Sequence, residues 1–228
     1  MPTDLTLLRG WFRFRLRTLL ILTVLVGLLM GWIAMERRHS QREQQIAKAF
    51  QQKDWSVMLA GPFDLQGAND QGWWRPWARR ILGDRIIGLT AIDMQINDLS
   101  PLSELTSLRK LNIRATQVSN FAPLSQLTNL QSLTLNRTSV EDLSPLTDLK
   151  ELKNLYISRT NVRDLTPLTQ LTMLEYLNIG STQVRDLTPL IGLTNLQRLD
   201  MIGTDVTKEQ IESLQKALPK CEVKRLGE

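Results

Sequence analysis

The 228-residue chain contains one cysteine and one histidine, and this scarcity excludes several classes of protein. A single cysteine cannot form a disulfide within the chain, so the sequence is no disulfide-stapled scaffold. Zinc sites and acid–base centres usually draw on several Cys or His side chains. The chain also has no phosphate-binding glycine loop, no HExxH pair and no nucleophile elbow. We therefore expect no metal, no cofactor and no enzymatic activity.

Net positive charge is lacking outside the first quarter of the chain. The 28 Lys and Arg exceed the 23 Asp and Glu and give a net charge of +5. Residues 1–53 hold nine cations and three acids, whereas residues 86–228 hold fifteen cations and sixteen acids. A nucleic-acid-binding domain needs basic charge on its own folded surface. No nucleic acid is therefore expected as a partner.

An uncharged stretch, residues 18–35, lies between two basic clusters. A helix of that length spans about 27 Å, close to the thickness of the hydrocarbon core of a bilayer. The stretch is longer than the apolar region of a cleaved signal peptide, and no small-residue cleavage site follows it, so an uncleaved signal anchor is favoured. The cations balance across the span, but the short N-terminus favours a cytoplasmic start. We expect a single-pass membrane protein that contacts the lipid bilayer through residues 18–35 and has an extracytoplasmic C-terminal part.

Two glycines inside this stretch, Gly27 and Gly31, have the GxxxG spacing that lets helix backbones approach closely. This spacing predicts a weak homodimer. Small residues are common in membrane helices, so the same spacing also arises by chance.

Leucine is the residue in excess, with 42 copies, and it follows a 22-residue period from residue 86 onward. Five blocks begin at residues 86, 108, 130, 152 and 174, and a diverging sixth begins at 196. The template is LxxLxLxxTxVxDLxPLxxLxx. Leucines alternating around one polar position predict short strands whose apolar side chains face a core. Each template Thr is expected to satisfy backbone groups at the strand exit, and each template Asp to cap a turn before proline.

The period and template resemble internalin-type leucine-rich repeats. The whole layout also resembles small membrane-anchored leucine-rich-repeat proteins of planctomycete bacteria: a WFRFRLRTLLIL start, one span, a charged helix, a Trp-containing segment ending in LGD, and a close at LPKCEV. The resemblance implies an α/β solenoid, a leucine-rich-repeat horseshoe with short parallel strands on its concave face and caps at both ends, preceded by one transmembrane helix. It implies binding as the activity, although Thr replaces the usual Asn and the short solenoid implies no host-adhesion role.

The chain is accordingly divided into six segments. They are a basic N-terminal segment (1–17), a transmembrane signal anchor (18–35), a charged helical stem (36–53), an N-terminal cap (54–85), the leucine-rich repeats (86–206) and a C-terminal helical cap (207–228). In the last segment, Thr207 has the position of an N-cap and Gln210 completes the spacing of a capping box. Cys221 is expected to be a buried residue of this cap, followed by a last short strand.

The variable strand positions are the candidate ligand-binding residues. Both tyrosines of the chain fall on adjacent predicted strands, two places apart, within reach of one ligand. Tyr and Arg dominate the energetics of many binding interfaces. The candidates on the concave face are Arg114, Asn136, Arg137, Tyr156, Arg159, Tyr176, Asn178 and Arg198. The same pattern also fits a face that merely needs polar cover, because Tyr suits strands.

Two functions follow. One is a membrane-tethered binding module that presents its concave face to a protein, peptide or envelope-polymer ligand. The other is a structural, self-associating protein of the cell envelope without a discrete ligand.

Overall fold

The computed structural model describes residues 16–51, 56–60, 85–92, 96 and 98–225, with side chains for 21–48, 86–92, 96 and 98–225. The chain divides into two compact units, one built from Met1–Arg42 and Gly61–Gly83, the other from Glu43–Ala60 and Asp84–Glu228. Residues 1–15 of the predicted basic segment and most of the predicted N-terminal cap therefore lie outside the described residues.

Helix α1, Leu16–Gln51, begins in the first unit and ends in the second. The predicted anchor (18–35) and nearly all of the predicted stem (36–53) thus lie in one uninterrupted helix. Among the residues that the structure describes, no helix is both long enough and apolar enough to cross a membrane. Of the predicted span, 18–35, the structure describes the side chains from Ile21 onward.

The second unit is built on a single eight-stranded sheet in which neighbours in sequence are neighbours in space. Its strands are β1 (Ser56–Ala60), β2 (Arg85–Thr90), β3 (Lys110–Asn112), β4 (Ser132–Thr134), β5 (Asn154–Tyr156), β6 (Tyr176–Asn178), β7 (Arg198–Asp200) and β8 (Glu222–Lys224). Strand β1 runs antiparallel to β2, and all later neighbours are parallel. From β2 to β7, each residue pairs with the residue 22 positions later in the chain, so the sequence period becomes one coil of a solenoid.

The apolar template positions form the core of this solenoid. In the coil that carries β5, Leu152, Leu155, Ile157 and Val162 are completely inaccessible to solvent, and equivalent residues of neighbouring coils are equally buried. Each fully buried side chain of this kind contributes about 1.5–3 kcal/mol. One coil could not bury its apolar side alone, so the stacked coils stabilise one another. The predicted inward-facing positions are confirmed.

At the exit of each strand the chain turns through a residue with left-handed backbone geometry. These residues are Ala115, Arg137, Arg159 and Ser181, with φ from 54° to 58°, and Gly203, with φ of 76°. The next residue is the template threonine, whose hydroxyl donates to the carbonyl three residues earlier; in the β5 coil, Thr160 Oγ1 lies 2.7 Å from the Ile157 oxygen. The buried threonine thus satisfies a carbonyl that the turn leaves without a strand partner.

On the opposite side of each coil, a short 3-10 helix carries proline in its first turn. These helices are Ser100–Glu104, Ala122–Gln126, Ser144–Leu146, Thr166–Leu168 and Thr188–Leu190. The template aspartate accepts a hydrogen bond from the backbone N–H two residues later, as Asp164 does from Thr166 at 2.8 Å. In the second full coil Asn120 replaces the aspartate and makes the same bond. The predicted capping role of the aspartates is confirmed. Because the amide of Asn120 makes the same bond, the role depends on a side-chain oxygen and not on a negative charge.

Helix α2, Lys208–Ala217, closes the C-terminal end of the solenoid. Thr207 accepts a hydrogen bond from the Gln210 N–H, as the capping spacing predicts. The Gln210 side-chain oxygen instead accepts from the backbone N–H of Leu187 at 3.0 Å. The glutamine therefore ties the cap to the preceding coil. Cys221 is buried just before β8, as predicted, and burial raises the pKa of its thiol.

The N-terminal end of the repeats is tied to the last part of helix α1 by a buried carboxylate. Glu43, only 1% exposed, accepts the Ile86 N–H at 2.9 Å through one oxygen. Its other oxygen accepts the Ser107 hydroxyl at 2.6 Å. Ala47, one turn further along the helix, is 5% exposed and belongs to the same core as the repeats. The last turns of α1 therefore form part of the solenoid cap, a role that the sequence did not indicate.

Candidate ligand-binding face

The outward side chains of the parallel strands form a surface that we call the strand face. It comprises Lys110, Asn112 and Arg114; Ser132, Thr134 and Asn136; Asn154, Tyr156 and Ser158; Tyr176, Asn178 and Gly180; and Arg198, Asp200 and Ile202. Because the pairing between coils is in register, each of these residues stands beside its counterpart in the next coil. The surface is thus a set of straight rows running across the strands.

The two tyrosines meet at the centre of the strand face. Tyr156 pairs with Asn178 across the two strands and Tyr176 pairs with Asn154, so the tyrosines are diagonal neighbours. Their ring centroids lie 4.9 Å apart, and the rings are inclined by 35°. Both side chains are half-buried, and burial raises the pKa of Tyr176 above its usual value. The pair therefore forms one aromatic platform.

The asparagines of the strand face have fixed orientations, because their side-chain oxygens accept backbone hydrogen bonds. Asn112 accepts from Arg114 N, Asn178 from Gly180 N, and Asn136 from Ser158 N in the next coil. A backbone N–H can only donate, so the oxygen of each amide is identified. The NH₂ groups of Asn112 and Asn136 are thereby directed away from the backbone, as donors for a ligand, whereas the Asn178 side chain also hydrogen-bonds Tyr176.

The three arginines near the centre of the solenoid lie at the exits of successive strands. Arg114 is half-buried, whereas Arg137 and Arg159 are exposed and occupy the left-handed turn positions of neighbouring coils. The structure thus brings Arg137, Arg159 and the tyrosine pair onto the adjacent strands β4, β5 and β6.

Arg198 stands apart from this group because it is already paired. Its guanidinium donates twice to Glu222 Oε2, at 3.0 and 2.9 Å. Sequence reasoning missed Glu222, although β8 continues the strand rows: Glu222 pairs with Arg198 and Lys224 with Asp200. The predicted last short strand is confirmed. The pairing of Arg198 with Glu222 was not foreseen, because these residues are 24 positions apart and the 22-residue period ends before this strand.

The two predicted helix-contact glycines lie in the first unit, away from the repeats in sequence. A Cβ atom added at Gly27 or Gly31 would meet no other atom within 4 Å. Within the described residues, both positions thus have open space on one side of the helix.

The described side chains give little support for metal binding or for catalysis by aspartate or cysteine. No three His, Cys, Asp or Glu residues of the described part of the chain come close enough together to hold a metal ion. The periodic aspartates are engaged in turns, and the raised pKa keeps the Cys221 thiol protonated. The surface presents aromatic rings, amide donors and guanidinium groups, which are suited to recognition.

This geometry defines a class: a leucine-rich-repeat solenoid, whose extended strand surface is what such proteins use for binding. No protein-family model and no curated protein sequence matches the chain. Among solved structures it is similar to internalin C2 of Listeria monocytogenes, with 31% identity and a TM-score of 0.57 over 64% of this chain and 69% of that protein. It is also similar to a leucine-rich-repeat protein of Leptospira interrogans, with 29% identity and a TM-score of 0.54 over 57% of this chain. That alignment covers 34% of the Leptospira protein, about a third of its length.

The chain belongs to the leucine-rich-repeat proteins with internalin-type repeats. The predicted solenoid and its parallel sheet are thereby confirmed. The two similar proteins are an internalin and a leucine-rich-repeat protein, and both share the repeat fold of this chain.

Proposed function

We propose that this protein is a membrane-tethered binding module whose strand face engages a protein or peptide ligand around Tyr156 and Tyr176. The observation that carries this proposal is the stacked tyrosine pair, half-exposed at the centre of a rigid parallel sheet. Aromatic side chains with few rotatable bonds lose little entropy on binding and anchor many interfaces. Strands on both sides hold the pair in place, so the site is organised before a ligand arrives.

The test is capture of a partner from envelope extract by the full chain. Tyr156→Ala with Tyr176→Ala removes both rings and should abolish capture, while circular dichroism and the unfolding midpoint stay close to those of the parent protein. Tyr156→Phe with Tyr176→Phe keeps the rings and serves as the matched control, with most of the capture retained. Undiminished capture by the alanine variant would move the site away from the tyrosines.

The proposed tether is residues 18–35, with the N-terminus in the cytoplasm and the repeats outside it. In support, the stretch carries no charge, and most of its described apolar side chains are more than half exposed, from Val26 at 51% to Leu28 at 66%, while Trp32 is 44% exposed and Ile33 is half-buried. Such a surface is unfavourable in water and favourable in lipid. The resemblance of the sequence layout to membrane-anchored planctomycete proteins favours the same arrangement.

A topology experiment decides the orientation. Gln117 is exposed on the repeats, so Gln117→Cys in a Cys221→Ser background gives one accessible thiol. Labelling of intact cells by an impermeant maleimide places the repeats outside the cytoplasm. Labelling only after lysis would reverse the orientation, and recovery of the chain in the soluble fraction would remove the tether.

Self-association through α1 is the competing function, favoured by the open space beside Gly27 and Gly31. If the glycines form the contact, Gly27→Leu with Gly31→Leu should abolish dimers that are trapped by crosslinking. Dimers that survive both substitutions would exclude this helix contact.

A further inference from the structure

Cations and acids are unevenly distributed over the strand face. Over β3 to β5 the strand face carries Lys110 and Arg114 and no aspartate or glutamate. The exposed turn residues Arg137 and Arg159 border it, each directly after the last strand-face residue of its coil. The acids of the strand rows come later, at Asp200 and Glu222. The repeats as a whole are nearly neutral, so their net charge conceals a local positive surface.

The four cations of this surface have no carboxylate partner among the described residues. The ion pairs of the repeats and the C-terminal cap involve other residues, among them Lys150–Asp148, Lys153–Glu175, Arg185–Asp205, Arg198–Glu222 and Lys208–Glu212. The cations of β3 to β5 are therefore available to an external anionic group.

Two of these arginines occupy backbone positions that do not favour them. Arg137 and Arg159 have φ of 58° and 55°, and Gly203 holds the equivalent place in the last coil. A residue with a Cβ is disfavoured in this conformation, whereas glycine is not. Ala115 and Ser181 occupy the same position in other coils, so the backbone tolerates a side chain at this turn without requiring arginine.

The neighbouring polar groups select the chemistry of the ligand further. The amide NH₂ groups of Asn112 and Asn136 lie on the same strands, and their oxygens are engaged by backbone N–H groups. The surface therefore offers mainly hydrogen-bond donors, which match a ligand rich in carbonyl and carboxylate oxygens. Recognition of polyphosphates and anionic lipids usually relies on denser clusters of Lys and Arg. Here single cations alternate with amides and lie beside an aromatic pair, which fits an extended polypeptide better.

We infer that the strand face over β3 to β5 binds an extended acidic segment of a protein. This inference rests on the proposed function, because it identifies the chemistry of the ligand for the same face. In this arrangement the carboxylates of the ligand lie against Arg137 and Arg159. The main-chain carbonyls of the ligand accept hydrogen bonds from the NH₂ groups of Asn112 and Asn136.

The experiment measures binding of a fluorescein-labelled Glu-Gly repeat peptide to the full chain in non-ionic detergent, by fluorescence anisotropy. The protein should bind this peptide and not the Gln-Gly repeat, and added salt should weaken the complex. Arg137→Gln with Arg159→Gln should lower the affinity by roughly five- to thirtyfold. Lys216→Gln with Lys220→Gln removes the same charge from the C-terminal cap and should leave the affinity unchanged.

A second variant keeps the test independent of folding. Arg137→Gly with Arg159→Gly places glycine where the backbone favours it, so the unfolding midpoint should stay the same or rise while the affinity falls. Retained affinity in this variant would overturn the inference. So would equal losses in the cap variant, binding of the Gln-Gly peptide, or competition by polyphosphate as strong as by the acidic peptide.

The two proposals fail separately. If the Tyr156→Ala and Tyr176→Ala variant still captures its envelope partner while peptide binding depends on the arginines, the tyrosine site is wrong and the acidic-ligand surface remains. If capture depends on the tyrosines and the acidic peptide does not bind, the inference about the ligand is wrong and the binding face remains.

Discussion

Glu43→Ala is the substitution that tests most directly how the solenoid begins. The carboxylate is 1% exposed and accepts the Ile86 N–H and the Ser107 hydroxyl. Alanine leaves the N–H of Ile86, a completely buried residue, without this acceptor. A buried donor without a partner costs about 1–3 kcal/mol, and hydrogen bonds to a charged group contribute about 1.5–3 kcal/mol. We therefore expect a loss of about 2–4 kcal/mol, confined to the N-terminal end.

The effect should be local, because each coil of a solenoid contacts only its neighbours. Native-state hydrogen exchange measures this directly, since about 1.4 kcal/mol corresponds to a tenfold change in an equilibrium constant. The amides of β2 should exchange roughly thirtyfold to several hundredfold faster in Glu43→Ala. The amides of β5 and β6 should keep their protection.

Two variants separate the hydrogen bonds from the charge. Glu43→Gln keeps an oxygen for the Ile86 N–H and removes the desolvated charge, so it should be much milder than alanine. Glu141→Ala removes an exposed glutamate and should change stability by less than about 0.5 kcal/mol. The reasoning is refuted if β2 protection in Glu43→Ala stays within threefold of the parent, or if glutamine and alanine have equal effects.

Further predictions concern single coils. Gly180→Ala places a Cβ 3.1 Å from the Ile202 carbonyl oxygen, so it should lower the free energy of unfolding, measured in urea, by about 1 kcal/mol or more. In Gly192→Ala the added Cβ meets no atom within 4 Å, so the substitution should be neutral or stabilising. Equal effects of the two substitutions would contradict this account. Hydrogen bonds from the side chain and the backbone of the residue two positions later, Ser144 or Thr188, lower the pKa of Asp142 and of Asp186. Each carboxylate therefore stabilises the fold above its unfolded pKa of about 3.9 and loses this contribution as the pH falls through its folded pKa. Asp142→Asn with Asp186→Asn should therefore flatten the loss of stability below about pH 4, measured by urea unfolding from pH 2 to 7, and an unchanged slope would show that other carboxylates dominate.

The repeat architecture was predictable because each coil is fixed by residues within one period. Leucines, threonine, aspartate and proline recur in order, and each makes its main contact inside its own coil or with an equivalent residue of the next. The hydroxyl of Thr160 and the carboxylate of Asp164, for example, bond backbone groups two or three residues away. Such short-range geometry follows from sequence spacing.

Contacts between distant segments were not predictable in the same way. Glu43 looks like one charged residue on a polar helix, and its partners lie 43 and 64 residues away. Gln210 fits a capping box by spacing, yet its side chain bonds the Leu187 N–H because the helix packs against that coil. The sequence predicted a tyrosine pair within reach of one ligand, but not that the rings touch each other, since the register between strands decides this.

The two ends of the sheet also bear on how the protein behaves at high concentration. A stack of parallel strands is open at both edges, and a second copy could add its first strand to the last one and start a filament. At one edge β1 runs antiparallel to its neighbour, which breaks the parallel repeat. At the other edge β8 is only three residues long and carries Glu222 and Lys224, while α2 covers the core beside it. Coils of this kind can stack without limit in principle, so we expect these terminal elements to oppose edge-to-edge addition of a second copy.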